Sequence, residues 1–251
     1  MPLPCPRTAL VVVCLAISVT GAGTACGPSP GDRTTGTGTL SRAIEATESA
    51  SSVTVHTDAL SLSVPMKGHV SRDGRGNCTA RMSYGEAGTA EVIRIAGRGS
   101  YLRRDEALLR MQERHRDPEE LDALVSALRG RWTKQPAEGP DTPPELALCT
   151  GARVPSGLEN GWDDESAPAE PATVEGRKAL RLAKPVGGEG ETTTVYIAAE
   201  GPPYLLKIVT TGGETPGATT YAHYGRPVDA AAPAAEDVVD AVNAVNAVDA
   251  D

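Results

Sequence analysis

Three groupings in the sequence bring together residue types that could do chemistry. The segment Gly68-His69-Val70-Ser71-Arg72-Asp73-Gly74 holds a histidine, a serine and an aspartate. Nucleophilic catalysis by these types needs a base within hydrogen-bond reach of the hydroxyl and a third group orienting the base. Residues this close along one strand do not converge in that way, and Ser71 lies in no G-x-S-x-G turn, so the segment reads as surface strand. The four histidines, His56, His69, His115 and His223, are far apart, with no H-E-x-x-H and no carboxylate at ligand spacing; neither a metal nor a cofactor is expected. Arg103, Arg104, Arg110, Arg114 and Arg116 form the one basic concentration along the chain, which could meet an anionic headgroup or cell-wall polymer. Asp105, Glu106, Glu113 and Glu119 beside them point instead to a charge-balanced, exposed helix face. No catalytic residue emerges, and the chain reads as a protein that is not an enzyme.

Composition narrows the partners. Lys+Arg 24 against Asp+Glu 33 gives a net charge of -9, without the basic excess that phosphate-backbone binding requires, so no nucleic-acid partner is expected. Phe is absent, and Trp 2 with Tyr 6 are too few for stacking platforms, which leaves the core to aliphatic side chains.

Residues 1–25 read as a targeting signal. Arg7 is their only charge, the apolar run Ala9–Val19 is too short for the ~20 residues of a bilayer span, and the small residues Thr20 to Ala25 lead to Cys26. That order resembles the lipobox of bacterial lipoproteins, in which a diacylglyceryl group is attached to the cysteine and the peptide bond before it is cut. The resemblance implies a lipid anchor at Cys26 on the extracytoplasmic face of the cell membrane, where two or three acyl chains hold firmly. The alternatives are an uncleaved N-terminal helix or an ordinary signal cut at Ala25. Loss of the signal removes Arg7 and takes the net charge from -9 to -10. Residues 26–39, rich in Gly, Pro and Thr, read as a flexible tether behind the anchor. Of the five cysteines, Cys5 and Cys14 leave with the signal and Cys26 carries lipid. Cys78 and Cys149 remain in an oxidising compartment, where one disulfide is the simplest outcome, and two free thiols or a metal pair are the alternatives.

The elements follow from periodicity. Leu40, Ala43, Ile44 and Thr47 make a helix stripe over Leu40 to Ser52 behind Thr39 as N-cap. Val53, Val55 and Thr57, then Leu60, Leu62 and Val64 in opposite parity, predict two strands or one with a bulge. Strands follow over Cys78 to Tyr84, Ala90 to Ala96 and Ser100 to Arg103, separated by Gly-rich turns. Asp105 to Arg116 reads as helix, and Asp117, Pro118 and Glu120 set an N-cap, a Pro at N1 and a Glu at N3 ahead of Leu121, Leu124, Val125 and Leu128. After an edge strand at Trp132 to Lys134, the stretch Pro136 to Pro171 is rich in Pro, Gly, Asp and Glu, and reads as a mobile surface loop pinned by the disulfide. Strands resume at Ala172 to Ala183, Thr192 to Ala198, Tyr204 to Thr210 and Thr219 to Tyr224. Val228 onward reads as a frayed tail, disordered over residues 241–251.

Several phrases, Gly76-Asn77-Cys78-Thr79, Glu91-Val92-Ile93, Gly99-Ser100-Tyr101-Leu102-Arg103, Gly130-Arg131-Trp132-Thr133-Lys134, Gly201-Pro202-Pro203-Tyr204-Leu205-Leu206-Lys207 and Tyr221-Ala222-His223-Tyr224-Gly225-Arg226-Pro227-Val228, carry a wider likeness. With the element order, they resemble the LolA/LolB and LprG/LppX-like lipoproteins of high-GC Gram-positive bacteria, over residues 40–240. The resemblance implies an α+β fold, a curved antiparallel half-barrel whose concave face is closed by helices. It also implies a monomer that binds or carries a lipid or other hydrophobic ligand. A cavity of that kind would be lined by Leu40, Ile44, Val55, Leu62, Leu121, Leu124, Val125 and Leu128, with the helices Leu40 to Ser52 and Pro118 to Arg129 as its lid. The alternative is a structural or regulatory surface lipoprotein that acts through a protein partner and has no ligand cavity.

Overall fold

A computed structural model describes residues 36–61, 63–135, 142–162, 168–185 and 190–240, all within one compact unit, Thr34–Asp251. The signal, Cys26 and the tether as far as residue 35, Leu62 and the 241–251 tail lie outside the described residues. The first helix, α1 (Gly36–Ser49), starts ahead of the predicted cap. Thr39 is therefore inside the helix and buried, and does not cap it.

Five strands follow as a meander: β1 (Ser52–Ser61), β2 (Val64–Asp73), β3 (Cys78–Ser83), β4 (Thr89–Ile95) and β5 (Gly99–Arg104). No bulge interrupts the first strand: β1 runs unbroken through Asp58 and Ala59, so Leu60 lies on the face opposite Val53 and Val55, and the chain turns back only between Ser61 and Val64. Next come α2 (Glu106–Gln112), capped by the Asp105 carboxylate accepting from the Leu108 N–H, and α3 (Pro118–Leu128), capped by Asp117. Helix α2 stops four residues short of the predicted Arg116. After β6 (Trp132–Gln135) and a short helix α4 (Ala147–Thr150), the second meander runs β7 (Glu170–Val174), β8 (Arg177–Pro185), β9 (Thr192–Ala198), β10 (Leu205–Thr211) and β11 (Gly217–Ala222). The segment predicted as one strand, Ala172 to Ala183, is broken into β7 and β8 by Glu175 (φ 51°) and Gly176 (φ 76°), a two-residue turn with both central φ values positive.

With a last short strand, β12 (Val238–Asp240), the strands among the described residues form a single twelve-stranded sheet, in the order β12-β6-β5-β4-β3-β2-β1-β11-β10-β9-β8-β7. The strand β1 that opens the first meander and β11 that ends the second join at the centre, where Val55 lies between Tyr221 and Val70. All pairings are antiparallel except that of β12 (Val238–Asp240), which lies parallel on β6. The residues predicted as the start of a frayed tail thus close one edge of the sheet. The sheet is curved and unclosed. The β2–β3 pair is unusually close at Gly68, where a Cβ would lie 2.1 Å from the Arg81 carbonyl oxygen. Only glycine lets β3 approach β2 that closely.

Register assigns the two faces, since directly opposed residues point the same way. One row across the sheet is Tyr221, Val55, Val70, Ala80, Val92, Leu102 and Thr133; another is Leu182, Val195, Ile208 and Thr219. These belong to the inner, apolar face, against which Leu40 and Ala43 of α1 and Leu108 of α2 are packed. The opposite row reads Glu170, Arg181, Tyr196, Lys207, Thr220, His56, His69, Arg81, Glu91, Arg103 and Trp132, the outer, polar face. Period-2 alternation sorts aliphatic from charged residues over most of the sheet; the exceptions are Arg72 and Arg94 on the inner face and the buried Ala179 and Ala198 on the outer.

Candidate functional site

The inner face is roofed by three pieces. Helix α1 covers the β8–β11 side and α2 the β2–β5 side. Between them runs the segment 142–162, predicted as a mobile surface loop and found as a strap through the core. Leu146 packs with Val70, Met82 and Leu102, while Val154 and Trp162 pack with Leu40, Leu182 and Ile197. The polar composition of the loop misleads because its few large apolar side chains are the ones that are buried. Trp162 is only 6 % exposed, and its indole N–H donates to the Leu158 carbonyl.

Polar anchors fix the strap. Cys78 and Cys149 form the disulfide, with Cα atoms 5.7 Å apart, inside the usual range. Arg72, buried on the inner face beside Cys78, donates to the carbonyls of Gly151 and Ala152. Arg153 donates to the Glu48 carbonyl at 2.9 Å and to that of Ala50, at the C-terminus of α1, where a cation also complements the helix dipole. The Glu48 carboxylate in turn accepts from the backbone N–H groups of Arg153 and Val154. Burial and the nearby Arg153 charge lower the Arg72 pKa, which still leaves a guanidinium charged.

The predicted cavity residues do not share one space. Leu40, Ile44 and Val55 lie together in the core under α1. Leu121, Leu124, Val125 and Leu128 pack instead against Leu109 of α2 and Val239 of β12, so α3 buttresses the helix pair and the sheet edge and is not a lid over the inner face. Five of the seven are buried, Val55 the most exposed of them at 9 %, and Ile44 and Leu121 are half-buried. The basic run is balanced, in part by the predicted Glu106 and Glu113 and in part by Glu91 and Asp122, which the sequence did not single out: Arg103 pairs with Glu91, Arg110 with Glu106 and Asp122, and Arg116 with Glu113. His69 and Ser71 both face outward, the Ser71 hydroxyl bonds that of Thr54, and the Asp73 carboxylate is occupied by the backbone of Arg75 and Asn77.

Two open pockets flank the filled core. On the outer face, about 480 Å³ lies over His56, His69 and Lys207. The His56 and His69 rings stand 5.9 Å apart, and His223 stands 6.4 Å from His56. Burial, then the two neighbouring imidazoles, lower the His56 pKa.

The larger pocket, about 680 Å³, opens at the end of the inner face between the sheet and the strap. Its sheet wall is the inner-face row Arg94, Ser100 and Gln135 beyond Cys78, and Leu146 of the strap forms the facing wall. Arg75, Arg98 and Lys134 complete the rim. Sequence reading missed this pocket because its arginines come from two turns and a strand, and no spacing along the chain marks them.

One unclosed antiparallel sheet, apolar on the side roofed by helices, defines an α+β half-barrel, the class anticipated from the sequence. Solved structures similar to it include the lipoprotein LppX of Mycobacterium tuberculosis (TM-score 0.46, 13% identity, covering 78% of this chain and 97% of that one). LprF from Mycobacterium bovis is similar at TM-score 0.49 and 15% identity, covering 79% and 96%. MucB matches at TM-score 0.34 and 16% identity, covering 79% and 60%. No family model and no curated protein sequence matches the chain.

Proposed function

We propose that the protein is an exported lipoprotein, anchored to the cell membrane through lipid on Cys26, which binds a lipid or other hydrophobic ligand against the inner face of its half-barrel. The observation that carries this reading is the aliphatic inner face, continuous from Leu182 to Leu102 and roofed by separate pieces instead of a second sheet. Such a face suits alkyl chains, which need apolar area and no directional partner. Ligand entry requires the roof to lift, because the core is filled in this conformation. The anchored domain would act as a monomer and without catalysis, since His69, Ser71 and Asp73 are each engaged separately.

Native mass spectrometry of the protein extracted from membranes tests this. A non-covalent lipid adduct, in addition to the anchor mass, is the expected result. Protein that carries none, and takes up none from mixed micelles, overturns the ligand reading. The strap through the core favours the second reading, a surface lipoprotein acting through a protein partner, which that outcome would leave standing.

A further inference from the structure

Arg72 is a buried guanidinium with no acid against it. It is 8 % exposed and forms no ion pair among the described residues. Its Nη1 and Nη2 groups donate to the strap carbonyls of Gly151 and Ala152, and its Nε–H has no partner. Glu48, whose charge acts on Arg72, is exposed, and its Oε1 accepts from the backbone N–H groups of Arg153 and Val154. The Arg153 guanidinium adds a second positive charge nearby. A cation taken out of water without an acid is costly, and neutral carbonyls offset that cost only in part. Arg104 on the same face is treated differently. It donates to the Gln112 side-chain oxygen, and Gln112 donates in turn to the Glu145 carboxylate.

Tyr221 brings a second unused donor to the same region. Arg72 pairs with Val53 of β1 and Tyr221 pairs with Val55, so both point inward from the two neighbours of one strand, at positions two residues apart. Tyr221 is 2 % exposed, and its hydroxyl has no hydrogen-bond partner. Burial raises the phenol pKa and keeps the hydroxyl protonated, while the Arg72 charge acts in the opposite direction, which places the two groups within electrostatic reach. They flank the seam of the core. Val53 and Tyr221 belong to the cluster under α1, Val70 and Cys78 to the one under α2, and the strap crosses between them. From this seam the inner-face row Val70, Ala80, Val92 and Leu102 offers an unbroken aliphatic track. A carboxylate matches the polar end of that track, since it carries one charge and its two oxygens accept from both spare donors.

We infer that Arg72 and Tyr221 form a carboxylate site at the centre of the inner face, and that the hydrophobic ligand is a long-chain carboxylic acid held there by its head. The inference rests on the lipid-binding reading and names the ligand class. When the roof lifts to admit the chain, Arg72 parts from the Gly151 and Ala152 carbonyls, and the carboxylate replaces neutral acceptors with an ionised one. Charge-assisted bonds are roughly twice as strong as neutral ones, so the acid itself offsets part of the cost of opening.

The test is calorimetric titration of the purified, delipidated protein with oleate and methyl oleate, both supplied on cyclodextrin. The two probes share one chain and differ in the charge of the head. Oleate is expected to bind at least about tenfold more tightly, the scale of one hydrogen bond to a charged group. Tyr221→Phe deletes a hydroxyl that bonds nothing under the closed roof, so its melting temperature should match the parent. It should weaken oleate binding by about tenfold and leave methyl oleate unchanged. Arg72→Met, which also frees the strap, should bring the two probes to equal affinity. Equal affinity of the parent for both probes, or a preference for oleate that either variant retains in full, overturns the inference and leaves the lipid-binding reading standing. Binding of neither probe also overturns it, and native mass spectrometry of the membrane-extracted protein then decides the lipid-binding reading separately.

Discussion

Thr47 shows how much one side chain can carry in this fold. It sits in the buried stripe of α1 with no exposed area, and its hydroxyl accepts from the Leu205 N–H at 3.0 Å and meets the Tyr224 hydroxyl at 3.3 Å. The Tyr224 hydroxyl donates to the Leu205 carbonyl, so three groups tie α1 to the start of β10. Burial raises the Tyr224 pKa, which keeps the phenol protonated and able to donate. Thr47→Val keeps the shape but strands a buried N–H, which costs about 1–3 kcal/mol. Urea unfolding should show that loss, with Thr47→Ser close to the parent; equal midpoints for Val and Ser would count against the bond. At this scale the sequence was legible where a residue acts on its own neighbours. Asp117 is a cap in sequence and in structure, because a cap reaches only two or three residues ahead. The mouth pocket was not legible, since its walls are brought together by strand pairing.

At the scale of elements, alternation and turn residues marked nearly every strand, but the exceptions have definite causes. Glu175 at positive φ hid the turn between β7 and β8, as few non-glycine residues adopt that conformation. Strand β12 is three residues long and is stabilised by its partner β6, so it leaves no periodic signal. The strap is the main divergence, a stretch of loop composition whose Leu146, Val154 and Trp162 complete the core. Replacing both cysteines (Cys78→Ala/Cys149→Ala) opens a loop of 71 residues and should cost about 4 kcal/mol in the chain-entropy account. Arg72 and Arg153 still hold the strap in that variant, so the loosening should be local. Hydrogen exchange is expected to quicken at residues 144–154 while β8–β11 stay protected. Uniform acceleration over the whole sheet would show that the disulfide supports the sheet and not the strap.

For the whole molecule, the proposed anchor and the fold are separable. Cys26→Ser should move the protein from the membrane fraction to the soluble fraction of cells without changing the melting temperature of the domain. Undiminished membrane retention would refute the anchor. This prediction needs only linear order, a charge, an apolar run, small residues and a cysteine, because a targeting signal is read as a segment before folding. The sequence by itself likewise determined the aliphatic core, the alternating strands, the Asp117 helix cap and the two cysteines left to pair. Only the tertiary structure decided that α3 buttresses α2 and that a polar loop runs through the core. The physical reason is range. Periodicity and capping express interactions between near neighbours in sequence, whereas which apolar side chain fills a given space, and which charges converge, depends on strand order and curvature across the whole sheet.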